Sequence, residues 1–129
     1  MKYKYIINIF LTFTLFYADI ATARLPFKIT GIYSSLSLNN ESGDVLGEEI
    51  MIVFSNKGYI ATYQSSEGEP TIPVVTKVNI VNNTIIFTLP PPFDIQGEFI
   101  GTISKNMLIG KFKKSNQVLT LERKNSYWQ

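Results

Sequence analysis

Apolar and polar residues alternate along most of the chain after residue 23, and runs rich in Val, Ile, Thr, Phe and Tyr are separated by Gly, Asn and Pro. No segment in this region keeps apolar residues at helical spacing for more than one turn. Alternation with a period of two is typical of β-strands that bury one face. The pattern predicts eight strands, at residues 30–38, 47–55, 59–65, 74–81, 84–89, 98–104, 107–113 and 117–123.

The connections between the predicted strands are of two kinds. Residues 56–58, 82–83 and 105–106 are short links with Asn or Gly, which are typical of tight hairpins in which such a residue takes a positive φ. Residues 39–46, 66–73 and 90–97 are long. In an up-and-down antiparallel arrangement, connections alternate between the two ends of the strands. We therefore expect the long loops to share one end, with the tight turns and both chain termini at the other.

The turn at residues 105–106 fixes the register of its hairpin. It pairs Phe99 with Phe112 and Gly101 with Gly110. Two opposed glycines leave a gap in the apolar layer, and either a large side chain or a ligand must fill it. By the same reasoning, the hairpin at 82–83 pairs residue 80 with 85, 78 with 87 and 76 with 89.

The first residues have the pattern of a secretory signal peptide. Two lysines precede a mostly apolar run at residues 5–18, and small residues follow at 21–23. Cleavage after residue 23 leaves 106 of the 129 residues, enough for one domain at 24–129 and too few for two. We expect a bacterial periplasmic or secreted protein without a transmembrane segment after cleavage.

The composition excludes several kinds of chemistry. The chain has no Cys and no His, so it has no thiol nucleophile, no disulfide and none of the side chains that most often act as general base or metal ligand. The formal net charge of +2 is too small for a typical nucleic-acid-binding domain. We expect a protein that is not an enzyme, with no cofactor, no metal and no nucleic-acid partner, as a monomer or weak dimer.

Several motifs resemble those of small lipocalin-like, or calycin-type, bacterial secreted β-barrel domains. They are Gly31-Ile32-Tyr33, Gly97-x-Phe99-x-Gly101-x-Ile103, Leu108-x-Gly110-x-Phe112 and Leu119-x-Leu121-x-Arg123. The resemblance implies an up-and-down antiparallel eight-stranded β-barrel. In lipocalins a Gly-x-Trp motif opens the first strand, and an Arg from the last strand packs across the Trp ring. Here Tyr33 stands in place of that Trp, and Arg123 is the matching arginine.

Two candidate sites and a closed-end seal follow from these expectations. The seal comprises Tyr33 and Arg123, with Trp128 as a terminal plug or, alternatively, as an exposed tail that docks on a partner. The interior candidates for a small apolar or amphipathic ligand are Tyr59, Tyr63, Phe87, Phe99, Gly101, Gly110 and Phe112, which could instead form a plain aromatic core. The candidates for a partner surface at the long-loop end are Glu41, Asp44, Glu67, Glu69, Phe93, Asp94 and Ile95, although carboxylates in loops are often merely solvated. Two functions therefore stay open: a lipocalin-like binder of small molecules, and an inhibitor or immunity-type module that binds an envelope protein.

Overall fold

The computed structural model describes residues 25–129, and the predicted signal peptide at residues 1–23 lies outside the described residues. This part of the chain is all-β, as the alternation predicts. Its strands are β1 (Gly31–Ser34), β2 (Ser37–Leu38), β3 (Val45–Ser55), β4 (Gly58–Gly68), β5 (Val74–Lys77), β6 (Asn79–Val81), β7 (Thr84–Thr88), β8 (Glu98–Ile103), β9 (Met107–Phe112) and β10 (Leu119–Arg123), with a short 3-10 helix at Phe93–Gln96 before β8. Among the described residues, no helix has the length and apolar character needed to cross a membrane.

The strands form one antiparallel sheet that curls into a nearly closed barrel. Nine strands follow the order β5-β4-β3-β1-β10-β9-β8-β7-β6, and β2 pairs with β3 beside this path. Strand β5 at the start of the path approaches β7, the last strand but one, and the Thr76 hydroxyl donates a hydrogen bond of 2.7 Å to the Thr88 carbonyl oxygen. Consecutive strands pair antiparallel in the sheet, except between β1 and β2 and between β5 and β6, so the predicted up-and-down connectivity is confirmed.

The predicted number of eight strands is wrong, because two of the predicted strands are each divided. The first divides into β1 and β2 where Ser35 faces Gly47. Gly47 has a φ of 120°, and a Cβ atom there would lie 2.7 Å from the Ser35 carbonyl oxygen. The two backbones come too close at this point for a side chain at residue 47, and the ladder is interrupted without a change of register.

The second division lies at Val78, where one extended segment changes partners. Strand β5 pairs with β4, whereas β6 pairs with β7, and the Val78 amide donates to the Tyr59 carbonyl oxygen at 3.0 Å. The predicted pairing of residue 80 with 85 is therefore confirmed, but the pairings of 78 with 87 and 76 with 89 are not formed. The segment leaves β7 to close the barrel against β4.

The hairpin predictions hold elsewhere. Phe99 pairs with Phe112 and Gly101 pairs with Gly110, as the turn at 105–106 predicts. Asn82 takes a positive φ of 55° in the turn between β6 and β7, which fits the tolerance of Asn for this conformation. The short connections therefore set the register of the sheet.

The barrel has two unlike ends, as the connection lengths predict. We call the end with the loops at residues 39–44, 69–73, 89–97 and 113–118 the mouth. We call the opposite end, with the turns at 56–57, 82–83 and 104–106, the closed end. Strand β1 begins and strand β10 finishes at the closed end.

Inward-facing side chains fill the barrel between these ends. The Phe99 ring stacks on Phe87 with centroids 4.7 Å apart and meets the Phe112 ring edge-on at 5.1 Å. Phe112 in turn meets Tyr63 edge-on at 5.8 Å. Aliphatic residues surround this aromatic cluster, and the buried core comprises Tyr33, Ile50, Ile52, Ala61, Tyr63, Val78, Ile85, Phe87, Leu89, Phe99, Ile103, Leu108, Phe112, Leu119 and Leu121. Burial of this apolar surface is the main source of stability in a chain without disulfides.

Candidate functional site

The closed end contains the predicted contact between Tyr33 and Arg123. The two residues pair across β1 and β10, and the guanidinium carbon lies 5.6 Å from the centre of the Tyr33 ring. The guanidinium also donates to the carbonyl oxygens of Lys28 and Thr30, which holds the segment before β1 across the barrel. Burial raises the pKa of the Tyr33 hydroxyl, and the positive charge of Arg123 opposes that rise.

Trp128 does not plug the closed end, and the prediction for this residue is wrong. The chain after β10 folds back along the outer wall, where the indole Nε1 donates to Gln64 Oε1 at 2.8 Å. The Glu49 carboxylate holds this tail by accepting hydrogen bonds from the Ser126 hydroxyl at 2.6 Å and from the Tyr127 amide at 3.2 Å. These polar contacts hold Trp128 on the outer wall, where the residue is 47% exposed. The core at the closed end is instead covered by apolar residues of the N-terminal segment, among them Phe27.

The gap at the opposed glycines is filled by a side chain. A Cβ atom on Gly101 would lie 2.7 Å from Phe99 Cε1, and one on Gly110 would lie 2.5 Å from Phe99 Cζ. The Phe99 ring therefore lies flat across both glycines, in the space that a ligand could otherwise occupy. Of the two fillings considered from the sequence, a large side chain is the one observed.

A cavity of about 490 Å³ opens at the mouth, above the aromatic cluster. One wall is an inward-facing row on two paired strands, with Glu48 on β3 opposite Ser65 on β4. Tyr63 and Glu67 flank Ser65 on the same face of β4, because side chains alternate along a strand. This row places two carboxylates and a phenol around one space.

The remaining walls of the mouth cavity are a mixture of apolar and polar groups. Phe112 and Leu119 supply apolar floor from β9 and β10. The 3-10 helix closes one side with Ile95 and Gln96. The loop between β9 and β10 completes the rim with Lys114, Ser115, Asn116 and Gln117.

Burial alters the acid–base behaviour of the two groups that point furthest inward. The pKa of the Glu48 carboxyl is raised chiefly by burial; the Ser35 hydroxyl, which donates to Glu48 Oε2 at 3.4 Å, lowers it, and the charge of Glu67 raises it. Burial also raises the pKa of Tyr63 to about 12, with further increases from Glu48 and Glu67 and decreases from the side chains of Ser65 and Gln96. Tyr63 is thus a neutral hydroxyl at physiological pH. A cation bound near Glu48 would stabilise the charged form of the Glu48 carboxyl.

The interior residues predicted from the sequence lie in different parts of the barrel. Tyr63 and Phe112 reach the mouth cavity. Tyr59 lies near the closed end, where its ring meets Phe54 edge-on at 5.0 Å. Core packing accounts for Phe87, Phe99, Gly101 and Gly110.

The residues predicted at the long-loop end do lie around the mouth, but only some of them share a surface. Glu67 and Ile95 line the cavity. Phe93 packs edge-on against Tyr63 at 5.3 Å and also borders an apolar groove of about 610 Å³ with Ile72. The remaining four, Glu41, Asp44, Glu69 and Asp94, are exposed in the loops or the short helix.

Eight residues that line the cavity are not among those predicted from the sequence, namely Glu48, Ser65, Gln96, Lys114, Ser115, Asn116, Gln117 and Leu119. A signal for Glu48 was present, because it lies two residues before Ile50 on the inward face of the same strand. A carboxylate on an otherwise apolar face is unusual and marks the point where the core ends and solvent enters. Gln96 offered no such signal, since its position depends on the 3-10 turn of the mouth loop.

No protein-family model, curated protein or solved structure matches the chain. The mouth cavity must therefore be interpreted from its own geometry. It offers two carboxylates to a cation, a phenol and three side-chain amides for hydrogen bonds, and an apolar floor. Such a set can hold a small molecule in a fixed orientation.

Proposed function

We propose that residues 24–129 form a non-enzymatic, lipocalin-like binding module of the bacterial periplasm or exterior. Its ligand is a small amphipathic molecule with a cationic group, bound in the mouth cavity. The up-and-down order of the strands in a nearly closed barrel supports the lipocalin-like part of this proposal. The ligand lies closer to the mouth than in a lipocalin with a large internal cavity, because Phe99 and its aromatic neighbours occupy the interior.

The observation that carries this proposal is the position of Glu48 and Tyr63 at the bottom of the mouth cavity. Glu48 is desolvated enough to raise its pKa, so a bound cation would gain a charge-assisted hydrogen bond and relieve this cost. The Tyr63 hydroxyl lies on the same wall, while Phe112 and Leu119 offer an apolar surface opposite. A cavity of about 490 Å³ lies within the range that small-molecule sites occupy.

Native mass spectrometry of the protein, purified gently after export from its own host, tests the proposal. The expected result is a reproducible added mass of a few hundred daltons that carries a basic group. A protein that is repeatedly bare under conditions gentle enough to keep other carriers loaded would contradict it.

Two substitutions locate the ligand once it is known. Glu48→Gln and Tyr63→Phe are each expected to weaken binding about 10- to 100-fold, because each removes one hydrogen bond to a charged or buried group. Glu122→Gln on the outer wall removes an equal charge outside the cavity and serves as the matched control. Equal affinities for Glu48→Gln and Glu122→Gln would place the ligand elsewhere.

The second candidate function is a protein-interaction module of the inhibitor or immunity type. One observation favours it: the apolar groove of about 610 Å³ at the mouth is bordered by Ile72, which is 85% exposed, and by the prolines at 70, 91 and 92. Exposed apolar surface beside carboxylates can receive a partner with apolar and basic groups. Ile72→Ser would then abolish capture of an envelope protein and leave the binding of a small ligand unchanged, because Ile72 does not line the mouth cavity. Glu67→Lys with Glu69→Lys would slow the association of the envelope protein.

A further inference from the structure

The charges of the barrel are divided between its two ends. The mouth carries Glu41, Asp44, Glu67, Glu69 and Asp94, in its loops and at the end of β4, against the two lysines at 113 and 114. The closed end has the opposite sign, with Lys28, Lys57, Lys105, Arg123 and Lys124 at its turns and chain ends. Although the net charge is near zero, the two ends of the barrel therefore carry mostly charges of opposite sign. The proposed ligand site uses only the acidic end and leaves the basic end without a role.

Three of the closed-end cations border one cavity. Lys28, Lys105 and Arg123 line a space of about 340 Å³ together with Phe27 and Asn106. Arg123 is already engaged, since its guanidinium donates to backbone carbonyl oxygens of the N-terminal segment. Within residues 25–129 the one ion pair is that of Lys113 with Glu98 near the mouth. The ammonium groups of Lys28 and Lys105 are therefore available to an external anion.

Few carboxylates oppose these cations. Among the residues that the structure describes, Glu122 is the acidic side chain nearest the closed end, one strand position before Arg123 and on the outer wall. No Asp or Glu occurs in the turns 56–57, 82–83 or 104–106. The charged side chains of the turns at this end are thus all positive.

Exposed apolar side chains accompany the cations. Phe54 is 68% exposed one residue before the end of β3, and Val81 is 62% exposed at the end of β6. Phe54 adjoins the closed-end turn that carries Lys57, and Val81 adjoins the closed-end turn at 82–83. Lysines around exposed aromatic and aliphatic residues are suited to the boundary between lipid headgroups and acyl chains.

We propose that the closed end docks on an anionic phospholipid membrane. The lysines contact headgroup phosphates, one of which enters the cavity beside Lys28 and Lys105, and Phe54 inserts at the level of the headgroups. The acidic mouth then points away from the lipid and into the surrounding medium. A membrane fits better than a nucleic acid, because the exposed Phe54 and Val81 gain from an apolar phase and the basic surface is confined to one end.

Vesicle co-sedimentation tests this docking. The full chain is expressed with its own N-terminal segment and purified after export. Vesicles of phosphatidylcholine alone are compared with an equal mixture of phosphatidylcholine and phosphatidylglycerol. The protein is expected to bind the mixture and not the neutral vesicles, with affinity that falls as salt is raised. Equal binding to both vesicle types would overturn the proposal.

Matched variants assign the binding to the closed end. Lys57→Gln with Lys105→Gln is expected to weaken binding about 25-fold, since each lysine near an anionic surface contributes about fivefold. Lys111→Gln with Lys113→Gln removes the same charge from the half of the barrel towards the mouth and should change binding less than about threefold. Phe54→Ser should weaken binding to the mixed vesicles without changing the salt dependence. These exposed positions leave the core intact, which circular dichroism checks.

Two results would overturn the assignment. An equal loss in the two lysine pairs would show that binding follows net charge and not this face. Tight binding of duplex DNA, with the same dependence on Lys57 and Lys105 and no retention on anionic vesicles, would identify a nucleic acid as the partner. The membrane proposal is independent of the mouth ligand, so neither result bears on the proposed function.

Discussion

The packing of Phe99 over the two opposed glycines leads to a sharp prediction for Gly101→Ala. Gly101 has no positive φ, so alanine fits the backbone and the effect comes from space alone. The new Cβ atom would lie 2.7 Å from Phe99 Cε1, where ordinary contact begins at 3.4 Å, so the ring must move by about 0.7 Å. Phe87 stacks on the other face of this ring and Phe112 blocks its edge.

The expected cost of Gly101→Ala follows from two opposing contributions. Overpacking of a filled core costs about 1–3 kcal/mol. Replacing a strand glycine by alanine recovers about 0.5–1 kcal/mol of backbone entropy. The net loss should therefore be about 1–2 kcal/mol of unfolding free energy, or a decrease in Tm of about 5–15 °C. Urea denaturation followed by circular dichroism measures it.

A double-mutant cycle with Phe99→Leu separates the ring from the backbone. Gly101→Ala should lose most of its cost in the Phe99→Leu background, with a coupling energy of about 1 kcal/mol. Gly110→Ala should remain destabilised by about 2 kcal/mol in that background, because its Cβ also lies 2.6 Å from the Gly101 Cα and from the Ile100 carbonyl oxygen. A Gly101→Ala variant as stable as the wild type would refute this reasoning and restore the glycine gap as a ligand pocket.

Three further predictions concern the mouth, the seal and the tail. Glu48→Gln should raise Tm at pH 7, because the raised pKa of Glu48 means that folding disfavours its carboxylate. The gain in Tm over the wild type should vanish as the pH falls below 4.5, the ordinary pKa of a glutamate, and a gain that is the same from pH 3 to pH 7 would contradict this. Arg123→Lys should lower the unfolding free energy by about 1.5–3 kcal/mol, because one ammonium nitrogen does not reproduce the separate hydrogen bonds of the two guanidinium nitrogens to the carbonyl oxygens of Lys28 and Thr30. Urea titration measures the change, and an unchanged unfolding free energy would show that Arg123 does not stabilise the closed end. Glu49→Ala should release the C-terminal tail from the barrel wall. The fluorescence of the only Trp should then shift to the red and be quenched more strongly by iodide, while the circular dichroism of the barrel stays unchanged. Unaltered emission would show that Glu49 does not hold Trp128.

Strand existence and register were predictable because they depend on local sequence. Alternation and short Asn or Gly turns fix which face a residue occupies and which residue it opposes, so the pairing of Gly101 with Gly110 follows from the chain alone. The division of the strand at Val78 could not be predicted, since nothing local indicates that one segment must serve two neighbours. That change of partner is imposed by closure of the sheet.

The site was predictable only in part, for a related reason. Tyr63 and Glu67 were singled out, but as members of separate groups, one interior and one in a loop. Their shared cavity depends on how far β4 extends towards the mouth, and the structure continues this strand to Gly68, beyond the predicted end at residue 65. Trp128 was misplaced because a terminal aromatic residue can pack on any apolar surface within reach, and the deciding partner, Glu49, is remote in sequence.

The pairing of β1 with β10 determines when the barrel can form. Strands β1 to β5 and strands β6 to β10 are each a run of sequential neighbours, whereas the contact that joins them links residues 90 positions apart. Each half can assemble from nearby chain, but the loop that connects the halves closes only when the last strand has been made. A chain that stops before residue 119 leaves the edges of β1 and β9 without their partner strand. Such shortened chains are expected to associate through these edges, and the completeness of the polypeptide thereby controls its solubility.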